Sequence, residues 1–178
     1  PTQSLAERWF SPTYDAEGFR NHPHSKYMNP KVVDQWIQSK KTLQANPNYN
    51  TKNIESFIKL RRKLILECQK NDVGLLLGCD APQVFNVPGF STHHELAYLV
   101  DCGLTPYQAI KTGTVNVARY LKLPDSGVIR TGAVADLILL TNNPLTDIKH
   151  TQSIEGVVLN GKWLSKKEID TGLKKLEK

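Results

Sequence analysis

The sequence predicts an α/β protein whose chain passes into a small all-β region. Three features carry that prediction: an amphipathic stretch from Asn53, an apolar run over 73–80 directly after it, and a change to strand-and-turn patterning after Gly127. In the first, Ile54, Phe57, Ile58, Leu64, Ile65 and Cys68 recur at helical spacing, with Lys59, Arg62, Lys63 and Glu67 between them. That is a helix with a core-facing stripe, ended by Asn71-Asp72. The run Val-Gly-Leu-Leu-Leu-Gly-Cys-Asp that follows reads as a strand buried on both faces, as parallel sheets require. Thr92-x-x-Glu95 then predicts a capping box opening a helix through Leu96, Leu99 and Val100, closed by Gly103. Thr105, Pro106 and Gln108 start another, and a third spans 115–121. Beyond Gly127, residues 135–140 predict a strand, and 157–164 a hairpin turning on Asn160-Gly161.

The first 52 residues are different. Pro12, Pro23, Pro30 and Pro47 interrupt a text rich in Asn, Ser and Gln, so an irregular loop or lid is expected. One short helix is expected inside it, from Pro30 through Lys41, burying Val33, Trp36 and Ile37.

Composition narrows the function classes. Length and a 39% apolar content suffice for a core. No apolar run approaches the ~20 residues a membrane span needs, and no signal-like start is visible. Cys68, Cys79 and Cys102 lack C-x-x-C spacing, so buried thiols in a reducing, cytoplasmic setting are expected. The net charge of +6 invites a nucleic-acid reading. Much of it, though, lies in Arg61-Arg62-Lys63 on the predicted helix and in Lys166-Lys167 and Lys174-Lys175 of the tail, with no interleaved aromatics. A solvated face explains it better.

Asp80 is the candidate for chemistry. If Asp80 faces inward on the predicted strand, so do Gly78 and Leu76, while Leu75, Leu77 and Cys79 face the helices. A carboxylate at the carboxyl end of a parallel strand lies where α/β barrels put their active sites. Asp-Ala-Pro is also ordinary turn chemistry, which leaves a plain capping role open.

The surrounding text runs Asp80-Ala-Pro-Gln, Val87-Pro-Gly-Phe-Ser-Thr-His-His-Glu-Leu, Cys102-Gly-Leu-Thr-Pro-Tyr-Gln-Ala-Ile, Thr114-Val-Asn-Val-Ala-Arg, Gly132-Ala-Val-Ala-Asp-Leu-Ile-Leu-Leu and Asn143-Pro-Leu-Thr-Asp-Ile. This ordered series, over about residues 54–164, resembles the C-terminal part of the amidohydrolase superfamily, in its imidazolonepropionase-like and Xaa-Pro-dipeptidase-like branch. The resemblance implies the last units of a (β/α)8 TIM barrel over 53–125, late strands of its flanking β-sandwich over 126–165, and a basic tail over 166–178. The 1–52 segment would be a loop over the barrel mouth, with Tyr27, Met28 and Trp36 available to line the pocket.

For the parent protein the resemblance implies hydrolysis of an amide or cyclic-amide C–N bond by water activated on a divalent metal, zinc being the expected ion. Asp80 matches the aspartate that binds that metal, or its hydroxide, and shuttles the proton. Cys79 stands where many relatives have threonine. His93 matches a histidine near the barrel mouth, implying a substrate-pocket role or a hold on Asp80; a surface position is the plainer alternative. The substrate would be a small-molecule amide or dipeptide-like compound, with neither nucleic acid nor membrane as partner.

The family's other metal ligands are not in the sequence. His22-Pro23-His24 has the spacing of a ligand pair but follows no apolar strand, so a loop is expected there, and His150 has no evident partner. Three expectations follow. The chain alone does not hold the metal, is inactive, and needs either the missing N-terminal barrel half or self-association. The alternative is a non-catalytic structural or interaction module built on the same fold.

Overall fold

The computed structural model describes residues 2–178; Pro1, the first residue of the segment expected to be irregular, lies outside them. Helix α1 (Gln3–Leu5) runs into a wide π-type turn at Ala6–Phe10, and 3-10 turns follow at Gly18–Asn21 and Ser25–Tyr27. Helix α2 (Pro30–Ala45) begins at Pro30 as expected, with the Asn29 side chain accepting the Lys31 N–H, and continues past Lys41.

This segment is packed rather than draped. Phe19, Val33, Trp36 and Ile37 form one core with Val84, Phe85 and Val87 from the far side of Asp80. Trp36 therefore sits in the core, while Tyr27 and Met28 pack half-buried against it. Lys40 ties the segment together from within: its ammonium donates to the carbonyls of Arg8 (2.7 Å), Trp9 (3.1 Å) and Ser11 (2.6 Å). Three donors meeting three acceptors is how a buried amine is tolerated.

Helix α3 (Thr51–Lys70) is capped by Asn50, and its buried stripe is narrower than its periodicity suggested. Only Ile58 and Ile65, seven residues or two turns apart, are buried, whereas Phe57, Leu60 and Leu64 are exposed. Residues 73–80 correct a larger expectation: they form no strand, and the described residues contain no parallel sheet. Their backbone makes isolated contacts only. Leu77 N–H donates to Thr112 O (2.9 Å), Gly78 O accepts from Thr2 N–H (3.0 Å) and Leu75 O from the Asn116 side chain (2.9 Å). A ladder needs a neighbouring strand on which such bonds repeat, and no described strand lies alongside.

Helix α4 (Phe90–Asp101) starts two residues before Thr92 and has no side-chain cap, so the expected Thr92–Glu95 capping box is absent. Helix α5 (Pro106–Thr112) does carry its Thr105–Gln108 box, and α6 spans Val115–Tyr120. Ile65, Leu96, Leu99, Cys102, Leu104, Ala109 and Ile148 form the second core. Strands β1 (Leu137–Leu140), β2 (Ile154–Leu159) and β3 (Lys162–Ser165) make an antiparallel sheet in that order. The expected turn joins β2 to β3, with Asn160 (φ 52°) and Gly161 (φ 74°) both left-handed, as primed hairpin turns require. The Trp163 indole lies over Gly156, where a side chain would collide with it. The basic tail is largely helical: Ser165 and Glu168 close a capping box on α7 (Lys166–Lys174), which buries no residue. No helix among the described residues is long and apolar enough to cross a membrane.

Candidate functional site

The sequence placed Asp80 at the end of an alternating segment; in the structure Leu75, Leu76 and Leu77 are all half-buried. Leu75 and Leu77 pack toward the second core and Cys79 is buried, while Asp80 is exposed. Cys79 O accepts from the Asn86 side chain (2.8 Å), which closes the loop beyond Asp80 back onto its base. Asp80 itself has φ 57°, a left-handed backbone uncommon outside glycine, although Asp and Asn enter it more readily than most residues. Its carboxylate is thus presented at a turn rather than along a pleat.

His93 does not hold Asp80. Its Nδ1 meets Thr151 Oγ1 at 3.0 Å, joining α4 to the 3-10 turn Ile148–Gln152 ahead of β2. Burial lowers its pKa, so the ring is neutral at neutral pH. Glu95 has a structural partner instead of a cap. Its fully buried carboxylate accepts the N–H groups of Gln3 (2.8 Å) and Ser4 (2.7 Å) at the start of α1. Those donors have no intrahelical acceptor, so a carboxylate at this helix start satisfies them and holds residues 3–10 on α4.

Next to Glu95, the structure assembles a cluster that sequence spacing did not reveal. His94 on α4 meets His22 and His24 from the N-terminal segment, each offering one donor atom within 4.8 Å of the others. Residues 22–24 are loop, as expected, following the Gly18–Asn21 turn. The His22 ring stacks on Phe19 (5.3 Å between centroids) and the His24 ring on Phe90 (4.1 Å). The rings of His24 and His94 lie 5.6 Å apart at 29°. Burial is the main cause that lowers all three pKa values, helped by the Arg8 charge, to about 4 for His24 and about 3 for His94. Arg8, itself buried, donates to Phe85 O at 2.6 Å.

Among the described residues, the buried polar atoms without a hydrogen-bond partner are Ser4 Oγ, Arg8 Nε, Trp9 Nε1, His24 Nδ1, Asn86 Oδ1, Ser91 Oγ and His94 Nδ1, so two of the three rings each carry one. Folded proteins leave few such groups unpaired, and unpaired nitrogens on two neighbouring rings mark a place for a ligand, an ion or water. A shallow concavity of about 760 Å³ lies elsewhere, between the sheet and α7, bounded by Glu155, Trp163 and Lys174 among others. It includes neither Asp80 nor the histidines.

The sequence pattern of the Amidohydrolase family matches residues 24–164. Ochratoxinase of Aspergillus niger is 38% identical over 91 residues, covering 49% of this chain and 18% of the relative. Imidazolonepropionase of Deinococcus deserti is 40% identical over 65 residues, 36% of this chain and 16% of the relative. The chain thus spans under a fifth of the length of these relatives. Among solved structures, a bottromycin amidohydrolase superposes with a TM-score of 0.73 at 19% identity, covering 96% of this chain and 37% of the other. A Xaa-Pro dipeptidase with methionine bound in its active site superposes at 0.57 and 20%, covering 84% and 43%.

Proposed function

Because the chain belongs to the amidohydrolase family, we propose that its parent protein hydrolyses an amide or cyclic-amide C–N bond, with Asp80 as this chain's contribution to the reacting centre. The placement of Asp80 carries the proposal: an exposed carboxylate in a left-handed turn, at the end of a segment anchored to the second core through Leu75 and Leu77. An exposed carboxylate so anchored can take a proton from attacking water and return it to the leaving nitrogen. Relatives named for ochratoxin, for imidazolonepropionate and for Xaa-Pro dipeptides favour a small amide, cyclic amide or dipeptide-like substrate.

The family reading brings a divalent metal, with zinc our choice. The described residues do not fit a complete centre around Asp80, which belongs to no group of three or more converging His, Cys, Asp or Glu donors. Zinc sites take three or four protein ligands, so the remaining donors would come from the rest of the parent protein. When bound, such an ion makes water a nucleophile at neutral pH. Exposed Phe57, Leu60 and Leu64 on α3, with Ile138, Leu139 and Trp163 on the sheet, support an apolar partner surface, either the N-terminal barrel half or a second copy. Three unpaired thiols suit a reducing cytoplasm.

The test uses the full-length parent against N-acyl amino acids, cyclic amides and Xaa-Pro dipeptides. Asp80→Asn should lower kcat by about 10²–10⁴-fold with little change in KM, and the 178-residue chain alone should show no turnover. Full activity in Asp80→Asn, or hydrolysis by the isolated chain, would overturn the reading.

A further inference from the structure

We propose that His22, His24 and His94 form a separate divalent-metal site, a three-imidazole centre clamping the 22–24 loop onto α4. It does not rest on the role given to Asp80, which is no member of the group.

Distance is the first argument. The three donor atoms lie within 4.8 Å of one another. Nitrogens about 2.0–2.1 Å from a tetrahedral zinc stand roughly 3.3–3.4 Å apart. The rings therefore close by roughly 1.5 Å or less, within reach of small rotations on a loop and one helical turn.

Donor chemistry is the second. Nδ1 of His24 and Nδ1 of His94 are buried without a partner, and a metal supplies what their lone pairs lack. His22 Nδ1 accepts the His24 N–H over a long 3.2 Å, a bond that an ion taking that nitrogen would have to displace. The stacked Phe19 and Phe90 rings fix the imidazole planes, as outer partners do in metal sites.

Charge sets the kind of ion. Arg8 places a positive charge near all three rings, which opposes a dication, and an anion at the open fourth position would offset that repulsion. Three imidazoles without a carboxylate select zinc, cobalt, nickel or copper over magnesium or calcium.

Zinc chloride titrated calorimetrically into the chelator-treated 178-residue chain should bind one ion per chain, and cobalt should bring the visible absorption of a four-coordinate site. His22→Ala and His94→Ala should each weaken zinc binding by roughly 100-fold or more, since outer partners alone are worth 10–100-fold. His150→Ala and Asp80→Asn should bind as the parent chain does. If circular dichroism shows His94→Ala unfolded, His24→Gln, which keeps the bulk of the side chain, is read in its place. Absence of zinc binding, binding unchanged by the His22 and His94 substitutions, or magnesium bound as tightly as zinc would each overturn the proposal. Loss of binding in Asp80→Asn would overturn it too, by placing the ion at Asp80, and so separates this failure from failure of the hydrolase reading.

Discussion

Glu95 should be the most sensitive single side chain for the stability of this chain. Its two oxygens accept from Gln3 N–H and Ser4 N–H, at 2.8 and 2.7 Å, in a fully buried setting. Hydrogen bonds to a charged acceptor contribute about 1.5–3 kcal/mol each. Some of that is returned in Glu95→Ala because the desolvated carboxylate goes too, but two buried donors are then orphaned. The net expectation is a loss of about 3–5 kcal/mol for Glu95→Ala. Glu95→Gln keeps one acceptor and turns an amide N–H toward a donor, so about 1–3 kcal/mol is expected. For a domain of this size each kcal/mol moves Tm by about 2–4 °C, so Glu95→Ala should melt roughly 6–20 °C lower. Urea unfolding followed by circular dichroism and tryptophan fluorescence reads both variants. A Glu95→Ala protein within about 0.5 kcal/mol of the parent, the range of an ordinary surface change, would refute the assignment of the carboxylate as a clamp. Because Arg8 is carried on the clamped segment, the same substitution should also loosen the histidine cluster.

Two further measurements probe the interior. Lys40→Met preserves length and bulk but leaves the carbonyls of Arg8, Trp9 and Ser11 without their donor; urea unfolding should show a loss of about 2–4 kcal/mol, and a stability equal to the parent's would refute the three-carbonyl anchor. Burial raises Cys102 from the ordinary 9 to about 11, so the folded chain keeps its proton where the unfolded chain has lost it. That contribution to stability is complete below pH 9 and disappears as pH rises from 9 through 11. At pH 8 buried Cys102 stays in its thiol form, so a thiol reagent should modify half-buried Cys68 quickly and Cys102 only after urea is added.

Local signals in the sequence were legible where the structure uses them locally. Pro30 starts α2, Thr105 and Gln108 box α5, and Asn160-Gly161 turns the hairpin, because each is satisfied within a few residues of chain. The Ser165–Glu168 box on α7 is of the same kind, set in a stretch that lysines dominate. The errors share the opposite property. Thr92-x-x-Glu95 has capping-box spacing, yet the glutamate is spent on Gln3 and Ser4, more than ninety residues away in sequence. The run over 73–80 has strand composition, yet a strand needs a neighbour that composition cannot supply.

The histidines follow the same logic with a functional consequence. His22-Pro23-His24 lies in a loop, as its sequence context predicts, and the pair alone makes no metal site. His94 stands beside a histidine with a family precedent and carries no spacing signal of its own. What unites them is the folding of residues 2–29 onto α4, fixed by Glu95 on one side and by Lys40 and the Phe19–Phe85 contact on the other. No periodicity encodes that convergence. It is created by two buried charges, each satisfied by backbone groups of one N-terminal segment, so the cluster and its clamps should fail together when either charge is removed.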